Sequence, residues 1–188
     1  MDRELERVIA YHCAPVIRGI KMANLVSVPQ HVGEALSEFL REYNEKCNHK
    51  GLYFQELCRC RERRLLLVFR PALVESYIRM HAHMDFLSRY GYTADETLAA
   101  HLERLGRRVV HGVGFPHEIG LFLGYPLEDV KGFIHHRGAG YRICGEWKVY
   151  GHGASAERTF YCFRVCREFC LRRLEEGGRM DELVAVTA

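Results

Sequence analysis

Cys13 before Ala14-Pro15, the pair His117-Glu118 behind Pro116, and Cys144 with Lys148 and Tyr150 could do chemistry by type and spacing. If Ala14-Pro15 open a helix, as proline does in a first turn, Cys13 stands at the N-cap or in the first turn. There free amides and the helix dipole favour a thiolate, which can act as a nucleophile or as a metal or haem ligand. The plain alternative is a small buried hydrophobe, since cysteine is among the most buried residue types. His117 meeting Cys13 in space would supply the base of a thiol hydrolase or transferase, with Glu118 as its orienter. Against this, successive helical side chains diverge by about 100°. An acid in a first turn also complements the dipole without any function. On one strand Cys144, Lys148 and Tyr150 share a face, with Trp147 opposite, which describes a pocket wall or equally a solvated sheet face. The candidate catalytic residues are therefore Cys13, His117 and Glu118, and the candidate metal ligands Cys13, His117 and Cys144. Lys21, Asn24, Lys148 and Tyr150 are the candidate cofactor-binding residues.

Other patterns are weaker. The eight cysteines include no CxxC pair, which argues against a zinc ribbon or a thioredoxin-type site. Cys162, Cys166 and Cys170 recur every four residues, a helix stripe better suited to core packing than to converging on a metal. His81 and His83 point apart on a helix. The net charge of +3 is too weak to imply nucleic acid, and the basic run Cys58 to Arg64 and the Arg104 to Arg108 region belong to no RNA-binding module. No phosphate-binding loop, dinucleotide fingerprint or hydrolase elbow occurs. The N-terminus is charged and amphipathic, and no later segment is long and apolar enough to span a bilayer, so a cytoplasmic protein is expected.

The elements that must position these residues follow from periodicity and punctuation. A helix is expected over Asp2 to Ala10, restarting around Cys13, and a short strand over Leu25 to Val28. Another helix is expected over Glu34 to Tyr43. Leu52 to Cys58 and Leu65 to Phe69 read as a strand pair, the second apolar enough to be central. Pro71 opens a helix towards Tyr90, and Thr93 to Glu96 matches a capping box for a helix running to about Gly106. In FPHEIGLFLGYPLEDVKGFI, Phe115 to Ile134, Pro116, Gly124 and Pro126 delimit two short helices. Gly120 and Gly124 leave room for a close backbone or a flat ligand. Tyr141 to Gly151 reads as one strand and Ala154 to Glu175 as a long final helix. With 188 residues, this order predicts one α+β domain over residues 1–188, a three- or four-stranded sheet with a hairpin, packed with several helices.

His12-Cys-Ala-Pro15 continuing through Gly19-Ile-Lys21 to Asn24, the passage Phe115 to Phe133, and Gly145-Glu-Trp-Lys-Val-Tyr150 together resemble a family of small proteins from anaerobic, clostridium-type bacteria, a domain of unknown function. The chain departs from that pattern at Val16-Ile17, where a leucine is usual, and at Met22, where a proline is common. The resemblance implies a cytosolic protein loosely associated with iron or redox metabolism. Combined with the residues, it points to a pocket with soft and basic groups that binds a metal, haem, small cofactor or metabolite. A cysteine-nucleophile enzyme built on Cys13 and His117 and an adaptor for a protein partner are the alternatives. No nucleic-acid or membrane partner is expected.

Overall fold

The computed structural model describes residues 3–29, 33–59, 63–112 and 114–186. Its centre is a three-stranded antiparallel sheet in which β3 (Arg63–Phe69) lies between β1 (Ala23–Pro29) and β2 (Tyr53–Arg59). β3 reads as a continuous apolar run because both its faces are covered. Leu66 and Val68 join Val26, Val28 and Phe54 in one core, while Leu67 and Phe69 join Ala23 and Leu57 in the other. The two strands expected at Leu52 to Cys58 and Leu65 to Phe69 are thus present and paired. Part of the basic turn between them, residues 60–62, lies outside the described residues.

The first core is closed by α1 (Arg3–Ile17), α2 (Gly33–Cys47) and α8 (Gly153–Glu175). α1 and α8 run in opposite directions, Arg7 meeting Glu175 and the Arg167 guanidinium lying over the Tyr11 ring. Here the sequence expectation needs correcting: α1 does not stop at Ala10 and restart, but runs through Pro15. Proline forfeits one backbone hydrogen bond there. Full burial of Cys13, Ala14, Val16 and Ile17 holds the helix together against that loss.

Arg70, at the end of β3 and 1% exposed, completes this corner. Its guanidinium donates to the carbonyls of Val16 (2.8 Å), Ile17 (3.0 Å), Ala185 (2.8 Å) and Lys50 (3.2 Å). A helix C-terminus leaves carbonyls without intrahelical partners, and here Arg70 adds a second donor to Val16 and Ile17, which also accept from the amides of Gly19 (3.0 Å) and Ala185 (2.9 Å). Glu6, also buried, accepts from the Tyr43 hydroxyl and the Met180 amide (2.9 Å).

The second core is closed by α3 (Pro71–Ile78), α4 (His81–Ser88), α5 (Leu98–His111), α6 (Ile119–Phe122) and α7 (Leu127–His135). The single helix expected from Pro71 to Tyr90 is two, because Met80 adopts an extended ψ of 135°. The capping box at Thr93 is half formed: Glu96 accepts from the Thr93 amide (3.3 Å), but the helix is capped by Thr97, whose hydroxyl accepts from the Ala100 amide. The strand expected over Tyr141 to Gly151 is a small hairpin, β4 (Ile143–Cys144) with β5 (Lys148–Val149). The fold is α+β, as expected. Among the described residues no helix is long and apolar enough to cross a membrane.

Candidate functional site

α6 and α7 are short because the sequence stops each abruptly. Gly124 ends α6 at φ +82°, a conformation that disfavours side chains, and Pro126 caps α7. The room at the two glycines is taken up by the protein itself. A Cβ on Gly120 would lie 2.8 Å from Val130, and one on Gly124 would meet Met22. The first approach seats α6 against α7, the second seats the end of α6 on the segment before β1, and one face of the pair is left towards the β4–β5 hairpin.

The hairpin is held there by Asp129, a residue with no sequence signal, since an acid in a first helical turn is ordinary. Asp129 is 3% exposed. Its Oδ2 accepts from the Trp147 indole (2.7 Å), and its Oδ1 from the amides of Tyr150 (2.7 Å) and Gly151 (2.9 Å). Both carboxylate oxygens are thus used to fasten the hairpin to α7. Arg167 of α8 pairs with Glu146 at the hairpin turn.

Between α6, α7 and the hairpin lies a cleft of about 440 Å³. Phe115, Tyr125, Phe133 and Trp147 give it aromatic walls, and His117, Cys144 and Lys148 stand on it. The His117 ring is exposed and packs edge-on against Phe133, with centroids 4.9 Å apart. Cys144 is exposed and directly opposite Lys148 across the hairpin. The Lys148 ammonium donates to the Gly138 carbonyl (2.7 Å) and lies over the rings of Tyr141 and Phe133. Three polar groups from two separate parts of the sequence therefore share one apolar slot. That is the usual composition of a small-molecule site, commonly about 300–1,000 Å³.

The other predicted residues fall elsewhere. Glu118 is 1% exposed, pairs with Arg108 and does not border this cleft. Tyr150 stacks on His136 with its ring against Gly132, where a Cβ would come within 2.5 Å, and it does not border the cleft. Cys13 is fully buried in the last two turns of α1, not at a helix start, and borders no part of this cleft. Burial pushes its thiol up to about 12, with the Lys21 charge opposing. Among the described cysteines, exposed Cys144 and Cys162 should therefore alkylate first in native protein, with Cys13 reacting only on unfolding. Mapped iodoacetamide labelling checks this, and early modification of Cys13 would contradict it. Cys170 is buried in the first core and Cys166 packs against it. Among the described residues no three His, Cys, Asp or Glu side chains cluster to hold a metal ion.

Lys21 borders a second region, and Asn24 reaches it only as the hydrogen-bond partner of Lys21. Trp147, stacked on Tyr125 with centroids 5.2 Å apart, also borders a neighbouring cleft of about 380 Å³ that contains Lys21. The Lys21 ammonium donates to Asn24 Oδ1 (2.6 Å), and Asn24 in turn donates to the His12 carbonyl (2.6 Å). A larger depression, about 710 Å³, lies between the α1 start and the α8 end. Its lining is dominated by charged side chains such as the Arg7–Glu175 pair, and it contains none of the predicted site residues.

The fold and site define an α+β protein with two small, aromatic-walled clefts meeting at one tryptophan. A family model described as "Protein of unknown function (DUF3793)" matches residues 9–184, and the chain belongs to that family. No curated protein and no solved structure matches it.

Proposed function

We propose that this protein binds a small, flat cofactor or metabolite with an apolar body and an acidic group, in the cleft between α6, α7 and the β4–β5 hairpin. The observation that carries this reading is the meeting of His117, Cys144 and Lys148 on one aromatic-walled cleft of about 440 Å³. The rings offer stacking faces, and Lys148 offers a charge-assisted donor for a carboxylate, sulfonate or phosphate. His117 and Cys144 are the groups that would ligate iron if the molecule is a haem or another metal-bearing ring.

Trp147 is the chain's single tryptophan and borders the cleft, so binding reports on itself. The flat anionic dye 1-anilinonaphthalene-8-sulfonate should quench Trp147 emission saturably in folded protein. Lys148→Gln should weaken that binding about tenfold, the effect of losing roughly 1.4 kcal/mol. Cys144→Phe, which fills the slot from an exposed position, should abolish it. Haemin titration reads the iron-bearing version through a Soret shift lost in His117→Ala. If the dye does not bind, or binds equally well to both cleft variants, the reading fails.

A further inference from the structure

Lys21 is the least ordinary amine in the molecule. It is 7% exposed, yet it borders the second cleft, whose mouth is formed by Ile20, Leu73, Met80 and the hydroxyl residues Ser76 and Thr159. Asn24 Oδ1 is its one hydrogen-bond acceptor among the described residues, and the rings of Tyr125 (5.5 Å) and Phe163 (5.4 Å) flank the nitrogen. An ammonium has three donors to satisfy, and a neutral amine has two and a lone pair. The ring faces attract a cation, but burial with a single acceptor leaves two of the ammonium's donors unmet and favours the neutral form. A lysine desolvated in an apolar pocket is the arrangement that makes this side chain a nucleophile.

We propose that Lys21 is a carbonyl-capturing amine, forming an imine with an aldehyde or ketone on a small, mainly apolar molecule that enters through the second cleft. The nitrogen lone pair attacks the carbonyl carbon, and the C=O π pair moves to oxygen. Proton transfer from nitrogen gives the carbinolamine. Its hydroxyl then leaves with a second proton as water, and the C=N bond forms. Amine and carbonyl give imine and one water, with no oxidant or reductant required.

The electrostatics agree with the geometry. Burial is the largest influence on Lys21 and pushes it down to about 8. Glu146 of the hairpin and Cys13 of α1 pull it back up, and Arg167 of α8 pushes it further down. At pH 8 about half of such an amine is neutral, against well under one part in a hundred for an ordinary lysine near 10.4.

The test is reductive trapping with butanal and cyanoborohydride, mapped over Lys21, Lys46, Lys50, Lys131 and Lys148. At pH 8 Lys21 should be alkylated at least about tenfold faster than the others, given its larger neutral fraction. Its rate should climb from pH 6.5 and level off above about 8. Leu73→Trp, at a position already 38% exposed, should obstruct the mouth and slow Lys21 alone. Lys21→Met should lose the fast adduct. Labelling of Lys21 no faster than of the other lysines, or fast labelling indifferent to Leu73→Trp, overturns the proposal. It does not rest on dye binding in the first cleft, which Lys148→Gln scores separately.

Discussion

Arg70→Met should lower the unfolding free energy by about 4 kcal/mol, a large part of the roughly 5–15 kcal/mol that holds such a domain. The substituent matches arginine's apolar stem, so the loss comes from the Lys50 and Ala185 carbonyls, left without their guanidinium donor, and from Val16 and Ile17, which keep only the amides of Gly19 (3.0 Å) and Ala185 (2.9 Å). Val16, Ile17, Lys50 and Ala185 all turn inward to the guanidinium. Each buried acceptor left unmade costs about 1–3 kcal/mol, and the sum is reduced where a carbonyl can shift towards water. Arg70→Lys should recover only part of the loss, because an ammonium cannot span four acceptors with the geometry of a planar fork. Urea unfolding followed by circular dichroism measures both variants. A loss below about 1 kcal/mol in Arg70→Met would mean that these carbonyls find other partners.

The second large effect is expected at Asp129, where stability and binding should fall together. Asparagine retains one oxygen, so Asp129→Asn must orphan either the Trp147 indole or the paired amides of Tyr150 and Gly151. A loss of about 2 kcal/mol follows, and Asp129→Ala should lose more by removing both acceptors. Trp147 emission should move to the red as the hairpin leaves α7, with dye affinity falling in parallel. Glu128→Gln, one residue earlier and exposed, should stay within about 0.5 kcal/mol of the parent. If Asp129→Asn leaves the emission spectrum unchanged, the hairpin is held by its packing on Phe160 and Arg167, not by the carboxylate.

What the sequence made legible was what local punctuation controls. Gly124 and Pro126 delimit α6 and α7, the charged loop between two apolar runs marks the β2–β3 hairpin, and Gly177-Gly178 follows α8. Pro15 misled because its rule is local. Its tolerance depends on burial of the surrounding turn against strands that come later in the chain. The second hairpin was hidden by its own register. Ile143 pairs with Val149 and Cys144 with Lys148, so the alternation of one long strand continues across the turn unchanged. Cys144 and Lys148 were placed on one face correctly, though by a different geometry. The meeting of His117 with that pair is set by how α6 and α7 pack beside the hairpin, and side-chain periodicity along the chain carries no record of that packing. Asp129 and Arg70 gave no signal, because their partners are mainly backbone groups brought near by tertiary structure, and backbone groups leave no mark in a side-chain pattern.

Trp147 borders both clefts, and the consequence is thermodynamic linkage. A guest that pushes the indole aside to widen one cleft takes volume from the other, so two molecules that never touch would still be antagonists. Reciprocity then requires that each weaken the other by the same factor. A butanal imine on Lys21 would lower dye affinity by the factor by which bound dye disfavours that imine, with a single side chain carrying the whole coupling.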